Sequence, residues 1–535
     1  MESPHDVGVE PCTTEAGPVP CPDAPPTSAA SSRRGFVTAA VTALAATAGA
    51  AVTAEAQSVS GRVARRPAVP VRGVSLQLSS VPQPPDVETT AIWRDPVARL
   101  VRRVTLGVTK DELDRAKAMG YRAYLEEQLK PSTVDDRVVA AFVTKTYPTT
   151  QQRPESLYVQ NLGTVLTELQ EATIYRAAFS RRQLNERMVE FWTDHFNIWR
   201  TDVGYLKVAD DRDVIRRYAL GNFYDLLRAS AHSPAMMEYL DQTRSRRGSP
   251  NENYAREIME LHTVGSYGGY TQTDVNELAR VFTGWTMTGR GVFTYDADLH
   301  DFGVKLVLGQ LFPSTAPAKG LAGKAEGERY LSYLANHPKT AQYLALKLTK
   351  FFLQYDPPDA LVTSVAAAYT RSKGDIPSML RVILDQATLM AAPAKFKRPF
   401  HLAVSSVRAL GATATNVSLV RGQIDAMGQS LFNWETPDGY PDRMEFWSGL
   451  VMQRWNAVSN ISSATGTTFS VNVAPFRGPT AEASVDLISA RLFGGEISGS
   501  LRTRLADYLR PGLASDTRLR ETVGLALSSS SFQWY

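Results

Sequence analysis

The chain has 535 residues, 43% hydrophobic and 21% charged, and a formal net charge of +4. That composition excludes an intrinsically disordered chain, and so small a charge, spread along the sequence, excludes a basic nucleic-acid-binding stripe. Both cysteines, Cys12 and Cys21, lie close to the start, which excludes a disulfide framework or a thiolate metal site in the body of the chain.

The first element in chain order is a targeting segment over residues 1–56. Ser32-Arg33-Arg34-Gly35-Phe36-Val37 has the twin-arginine pattern, no charge follows from Gly35 to Ala54, and Ala54-Glu55-Ala56 offers a cleavage site before Gln57. A membrane anchor is the alternative on length alone, but the run is mostly Ala, Thr and Gly, too weakly apolar to hold in a bilayer. The expectation is export by the twin-arginine pathway to the periplasm or beyond, with no stable membrane span after cleavage. Cleavage removes two arginines and six acidic residues and leaves a net charge of +8. Residues 57–88, with Pro67, Pro70, Pro82, Pro84 and Pro85, read as a disordered linker.

Residues 89–535 read as one large, mainly α, multi-helix domain. Asp95-Pro96 opens the first helix, Thr109 with Glu112 caps a second, a third follows Gly120, and a fourth is expected over about 157–180. In L-N-E-R-M-V-E-F-W-T-D-H-F-N-I-W, residues 184–199, Phe191, His195 and Trp199 recur every four residues, so His195 points into an aromatic core. Arg187 is placed to bridge Glu190 and Asp194, as a surface charge cluster. Two helices are expected over 211–240, and the basic loop Arg244, Arg246 and Arg247 reads as solvated.

The most informative stretch is Ser249 to Trp285. Ser249 and Glu252 form a capping box with Pro250 at the first helical position, and Gly265 ends the helix. Tyr254, Ala255, Ile258, Met259 and Leu261 make its apolar arc, with His262 inside that arc. Asn253, Arg256, Glu257 and Glu260 make the polar one, where Arg256 can pair with Glu260. Thr271 and Asp274 start a second helix that runs to Gly284, so the unit is a helical hairpin.

After Trp285 the periodicity changes, and a small β-hairpin or extended excursion is expected near 292–310. If that run is extended, Asp296, Asp298 and His300 share a face and could hold a divalent metal; an acidic turn is the alternative. A surface loop over 311–326 precedes more helix, from Gly327 on and then over 375–388 and 397–410. Trp434, Tyr440, Trp447 and Trp455 then follow, as core or as a stacking surface for sugars, and residues 458–480 read as loop.

Several of these runs carry a resemblance. E-N-Y-A-R-E-I-M-E-L-H-T-V-G followed by G-Y-T-Q-T-D-V-N-E-L-A-R-V-F-T-G-W, F-W-T-D-H-F, H-D-F-G-V-K-L-V-L-G, N-H-P-K-T-A and G-Q-S-L-F…P-D-G-Y-P are similar to the motifs of the bacterial family called domain of unknown function 1800. The likeness extends from about Trp93 to Tyr535. It implies a helical exported protein and, as a partner, a co-encoded exported phosphatase- or sulfatase-like protein. Three readings of the chemistry follow. The first is a hydrolase acting on envelope or extracellular material, with Glu257, Glu260, His195, Asn253 and Arg256 as an acid–base centre and His300 with Asp301 as metal ligands. The second is a non-enzymatic envelope scaffold, and the third is glycan binding through the aromatic loop. There is no H-E-x-x-H, G-x-S-x-G or Walker sequence.

Overall fold

Local chemistry starts the fold where the sequence predicts. The Asp95 carboxylate accepts from the backbone N–H groups of Val97 and Ala98, at 2.8 and 2.9 Å, and the helix Pro96–Val104 follows. Thr109 caps Lys110–Met119 through the Glu112 N–H, and Tyr121–Gln128 leaves Gly120. The computed structural model describes residues 93–312 and 322–535; the expectations for residues 1–56 and 57–88 lie outside the described residues. Among the described residues there are 26 α-helices and three two-stranded antiparallel sheets. No described helix is long and apolar enough to cross a membrane.

The core is built around the helix Pro399–Leu410, every residue of which is buried. A helix apolar on all sides needs neighbours on all sides. It has them in Leu162–Phe179, Ser418–Ala426 and Val451–Ser462. Its polar side chains are satisfied internally, Arg408 donating to the carbonyls of Gly107 and Ala178 at 2.6 and 2.7 Å. Gly107 is required at this crossing, because a Cβ there would lie 2.5 Å from the Cα of Ser405.

The excursion after Trp285 is two hairpins. β1 (Trp285–Thr288) pairs with β2 (Val292–Tyr295), and β3 (Lys305–Val307) pairs with β4 (Gln310–Phe312). Between them the chain is not extended. Asp296 caps a 3-10 turn, Ala297–Leu299, by accepting from the Asp298 N–H at 3.0 Å, so Asp296, Asp298 and His300 do not form one strand face. A short acidic side chain that accepts from the backbone two residues on favours the turn.

Three further expectations need correction. The central helix is capped by Asn251, not Ser249: Asn251 Oδ1 accepts from the Asn253 N–H at 2.8 Å, and the helix is Glu252–Glu257. Arg246 and Ser249 pair with each other instead, which holds Pro250 before the helix. Residues 458–462 belong to the helix Val451–Ser462, whose buried Ala457, Val458 and Ile461 outweigh the serines as a signal. Helix resumes at Ala322, ahead of Gly327. Thr271 and Asp274 do form a complete capping box, and Gly265 (φ +81°) closes the preceding helix by donating to Met259 O at 3.0 Å.

Candidate functional site

Four pieces of chain meet at the C-terminal end of the helix Gln183–His195. They are that end itself, the π-helical segment Ile258–His262 that continues the helix Glu252–Glu257, the helix Pro338–Phe352, and the loop 438–443. The π segment widens the helix by one residue per turn, a distortion recurrent at functional sites. Its freed Ile258 carbonyl accepts from the Thr263 hydroxyl at 2.6 Å. The His262 carbonyl reaches the Nε2 of His195 at 3.1 Å.

His195 is 1% exposed, packed among Phe191, Trp192, Phe196, Phe223 and Tyr343, with ring centroids 4.6–6.3 Å away. The aromatic core read from its spacing is present around Phe191 and His195, but the helix ends at His195, and Trp199 lies beyond it, half-buried, with its indole donating to Asn433 at 3.2 Å. Since a carbonyl can only accept, Nε2 carries the proton and Nδ1 carries a lone pair. That Nδ1 is buried without a hydrogen-bond partner. Burial, and then the charge of Lys347, hold the imidazole well below its ordinary range, so it is neutral.

The acidic pair beside it is not the surface cluster expected from sequence: Glu190 is buried and Asp194 is half-buried. Arg187 donates to Glu190 at 2.6 Å, and Arg398, from far along the chain, holds both Glu190 (2.5 Å) and Asp194 (2.6 Å). Arg187 therefore does not bridge the pair; Arg398 does. Burial outweighs Arg398 at Asp194 and raises its carboxyl. Gly439 packs directly on this helix end: φ is +75°, and a Cβ would lie 2.2 Å from the Asp194 carbonyl oxygen. Asn197 fixes the same loop by donating to the carbonyls of Trp434 and Thr436 at 3.0 and 2.8 Å.

On the polar arc of the central helix, Glu260 accepts from the Tyr270 hydroxyl at 3.0 Å. Glu257 is half-buried, and its carboxyl accepts no hydrogen bond. Burial first, then the neighbouring Glu260 charge, with Asp438 adding to both, push Glu257 up to about 7, against a smaller pull from Arg256. Arg256 does not pair with Glu260: it donates to Glu252 at 3.1 Å and to Gln272 at 2.9 Å. Asn253 is exposed, and its backbone N–H completes the cap.

His300 and Asp301 make no contact with any of these groups and belong to a separate cluster. His300 Nδ1 lies 2.7 Å from the Thr283 carbonyl and Nε2 lies 3.3 Å from Glu326, which Lys305 also holds at 2.8 Å; all three side chains are buried. Asp301 is chelated by Arg280 at 2.8 and 3.2 Å, which depresses its carboxyl to about 2. Both imidazole nitrogens thus have protein partners. Among the described residues, no three His, Cys, Asp or Glu side chains gather as a metal-ligand set.

One group at the site was not singled out from sequence. Lys347 projects from the helix Pro338–Phe352 with its Nζ 5.4 Å from the Tyr343 ring centroid. No carboxylate lies within 4 Å of it, and burial lowers it to about 8, against smaller pulls from Asp194 and Asp438. A signal existed, since Lys347 follows the H-P-K-T-A run within the same helix.

The aromatic loop divides. Trp434, Tyr440, Phe446 and Trp447 contact one another at 4.7–5.8 Å, and Trp447 is buried with its Nε1 on the Pro441 carbonyl. Trp455 stands apart on the helix Val451–Ser462, donating to the Ser528 carbonyl at 3.2 Å.

A family model described as "Protein of unknown function (DUF1800)" matches residues 99–534. No curated protein and no solved structure matches the chain.

Proposed function

The chain belongs to the DUF1800 family, whose function is unknown, and on that premise we propose that it is a hydrolase working by general acid–base catalysis at the Glu257–Glu260 pair. The observation that carries this reading is the contrast between two neighbouring carboxylates. Glu260 is tied to a tyrosine hydroxyl, whereas Glu257 is unbonded and pushed up to about 7, where a carboxyl can both give and take a proton near neutral pH. Glu257 is the proton carrier, Glu260 its charged neighbour, and Arg256 a distant counter-charge. Asn253 is the exposed rim donor for substrate, and His195 is a buried positioning residue. The acid–base form is favoured over a metal-assisted one because His300 and Asp301 are engaged by Thr283, Glu326 and Arg280. The twin-arginine pattern at Ser32–Val37 supports export, which would make envelope or extracellular material the substrate and a co-exported phosphatase- or sulfatase-like protein a partner. A scaffold is the second reading, and the buried ion pairs of Arg398 favour it, because they explain fixed charges as joints between helices.

The test is turnover by the mature chain on a panel of glycoside, ester, amide and phosphoester substrates, with and without Glu257→Gln. The expected result is a pH–rate profile breaking near 7 and a loss of about 100-fold or more in the variant, with its circular dichroism unchanged. Turnover that survives the substitution overturns the assignment, and a folded chain inert across the panel favours the scaffold.

A further inference from the structure

A groove of about 1130 Å³ opens between the helices Val451–Ser462, Gly499–Leu509 and Asp516–Ser528, and it shares no lining residue with the Glu257 site. On the first helix the stripe facing it is Met452, Trp455, Asn456 and Ser459, at i, i+3, i+4 and i+7, while the opposite face, with Ala457, Val458 and Ile461, is buried in the core. Gly524 lets the third helix approach the first, since a Cβ there would lie 3.0 Å from the Ser462 hydroxyl. The groove exceeds the roughly 300–1,000 Å³ of single small-molecule sites, which suits a chain of linked units.

Its walls have two characters. Trp455 is 46% exposed and lines the groove, and its Nε1 donates to the Ser528 carbonyl at 3.2 Å, which holds the ring in place. A pinned, flat, apolar face is a platform for stacking, and the exposed Met452 and Leu525 extend it. The remainder is rich in hydroxyls. Ser462, Ser463, Ser528 and Ser529 each donate to a carbonyl of the preceding turn, at 2.6–3.1 Å, so their oxygens keep lone pairs that can accept. The exposed side chains of Asn456, Ser459, Thr465 and Ser530 hydrogen-bond to no described residue.

The charged side chains of the groove are already engaged. Glu521 accepts from the Tyr508 hydroxyl at 2.8 Å, Arg520 donates to the Val471 carbonyl at 2.7 Å, and Arg504 has a partner as well. An acyl chain or the apolar face of a peptide would cover the hydroxyls without pairing them, which is unfavourable. A pyranose with equatorial hydroxyls meets both walls, because its face carries C–H groups and its edge both donates and accepts.

We propose that this groove binds an uncharged oligosaccharide, one pyranose ring stacking on Trp455 and the neighbouring units exchanging hydrogen bonds with the serine, threonine and asparagine side chains. Glycan recognition then lies on the helix Val451–Ser462, beyond the loop whose rings Trp434, Tyr440 and Trp447 pack on one another. The proposal does not rest on the hydrolase reading.

The test is isothermal titration of the mature chain with cellohexaose and chitohexaose, with hexagalacturonate as the charged comparison. Binding of a neutral hexamer at one site is expected. Trp455→Ala should weaken it by about tenfold or more, the loss typical of a tryptophan anchor, and Trp455→Phe, which keeps a ring, by less. Should Trp455→Ala fail to fold, Ser459→Arg fills the groove from an exposed position and should abolish binding with Trp455 in place. Glu257→Gln should bind the hexamer as the parent does, which separates the groove from the catalytic assignment. Binding of neither neutral hexamer, tighter binding of hexagalacturonate, or an unchanged affinity in Trp455→Ala would each overturn the proposal. So would capture of the chain by phosphatidylcholine vesicles that Trp455→Ala abolishes, because the surface would then meet a membrane.

Discussion

Replacing Glu257 by Gln should stabilise the protein at alkaline pH, the reverse of what removing a structural carboxylate does. Unfolded, this carboxyl ionises near 4.5; folded, burial and Glu260 hold it at about 7. Between those values the folded state keeps a proton that the unfolded state has released, so stability falls as pH rises through the window and the full penalty applies above it. A displacement from 4.5 to about 7 corresponds to roughly 3 kcal/mol at 1.36 kcal/mol per unit. The side chain keeps some contact with water, which screens the repulsion, so roughly 1–2 kcal/mol is the expected gain. The amide of Gln has the same shape and no charge, and removes this term alone. Urea midpoints of parent and variant should differ in the variant's favour at about pH 8 and converge as pH approaches about 4.5. A variant less stable than the parent at the higher pH, or a difference that does not change with pH, would refute the reasoning. A carboxylate whose loss stabilises the fold is kept for something other than stability.

Arg398→Met should destabilise by roughly 3–5 kcal/mol, because Asp194 loses its only ion pair and Glu190 keeps only Arg187; a urea midpoint close to the parent's would contradict this. Gly439→Ala should loosen the 438–443 loop from the helix end at roughly 2–4 kcal/mol, since it adds a left-handed side chain and a clash with the Asp194 carbonyl. Amide exchange faster in that loop than elsewhere is the expected signature. Unchanged exchange would mean that the two do not pack as described.

Much of the fold was legible because the deciding interactions are short. The caps at Asp95, Thr109 and Thr271, the stop at Gly265 and the four-residue aromatic spacing of His195 each depend on partners within a few residues. The cap lies at Asn251 and not at the expected Ser249, as Ser and Asn cap almost equally well and only the Arg246–Ser249 pairing decides. The candidate site was harder. Its geometry depends on Arg398 meeting Glu190 and Asp194 across about two hundred residues, and no periodicity encodes such a pairing. The same distance hid Lys347, whose neighbours at the site, Asp194 and Asp438, lie far along the chain. For His300, an extended strand and a capped turn were equally compatible with the residues, and only the folded neighbours Thr283 and Glu326 show which applies.

The surplus residue in Ile258–His262 has a consequence for anyone who re-engineers this region. Deleting one residue there would let an ordinary α-helix form, turning whatever lies beyond the cut by about 100° about its axis. The carbonyl that orients the imidazole of His195 would swing away, although every motif letter on either side stayed in place. Grafts between relatives should therefore move the stretch from Asn251 to Gly265 as one block, since its spacing matters as much as its spelling.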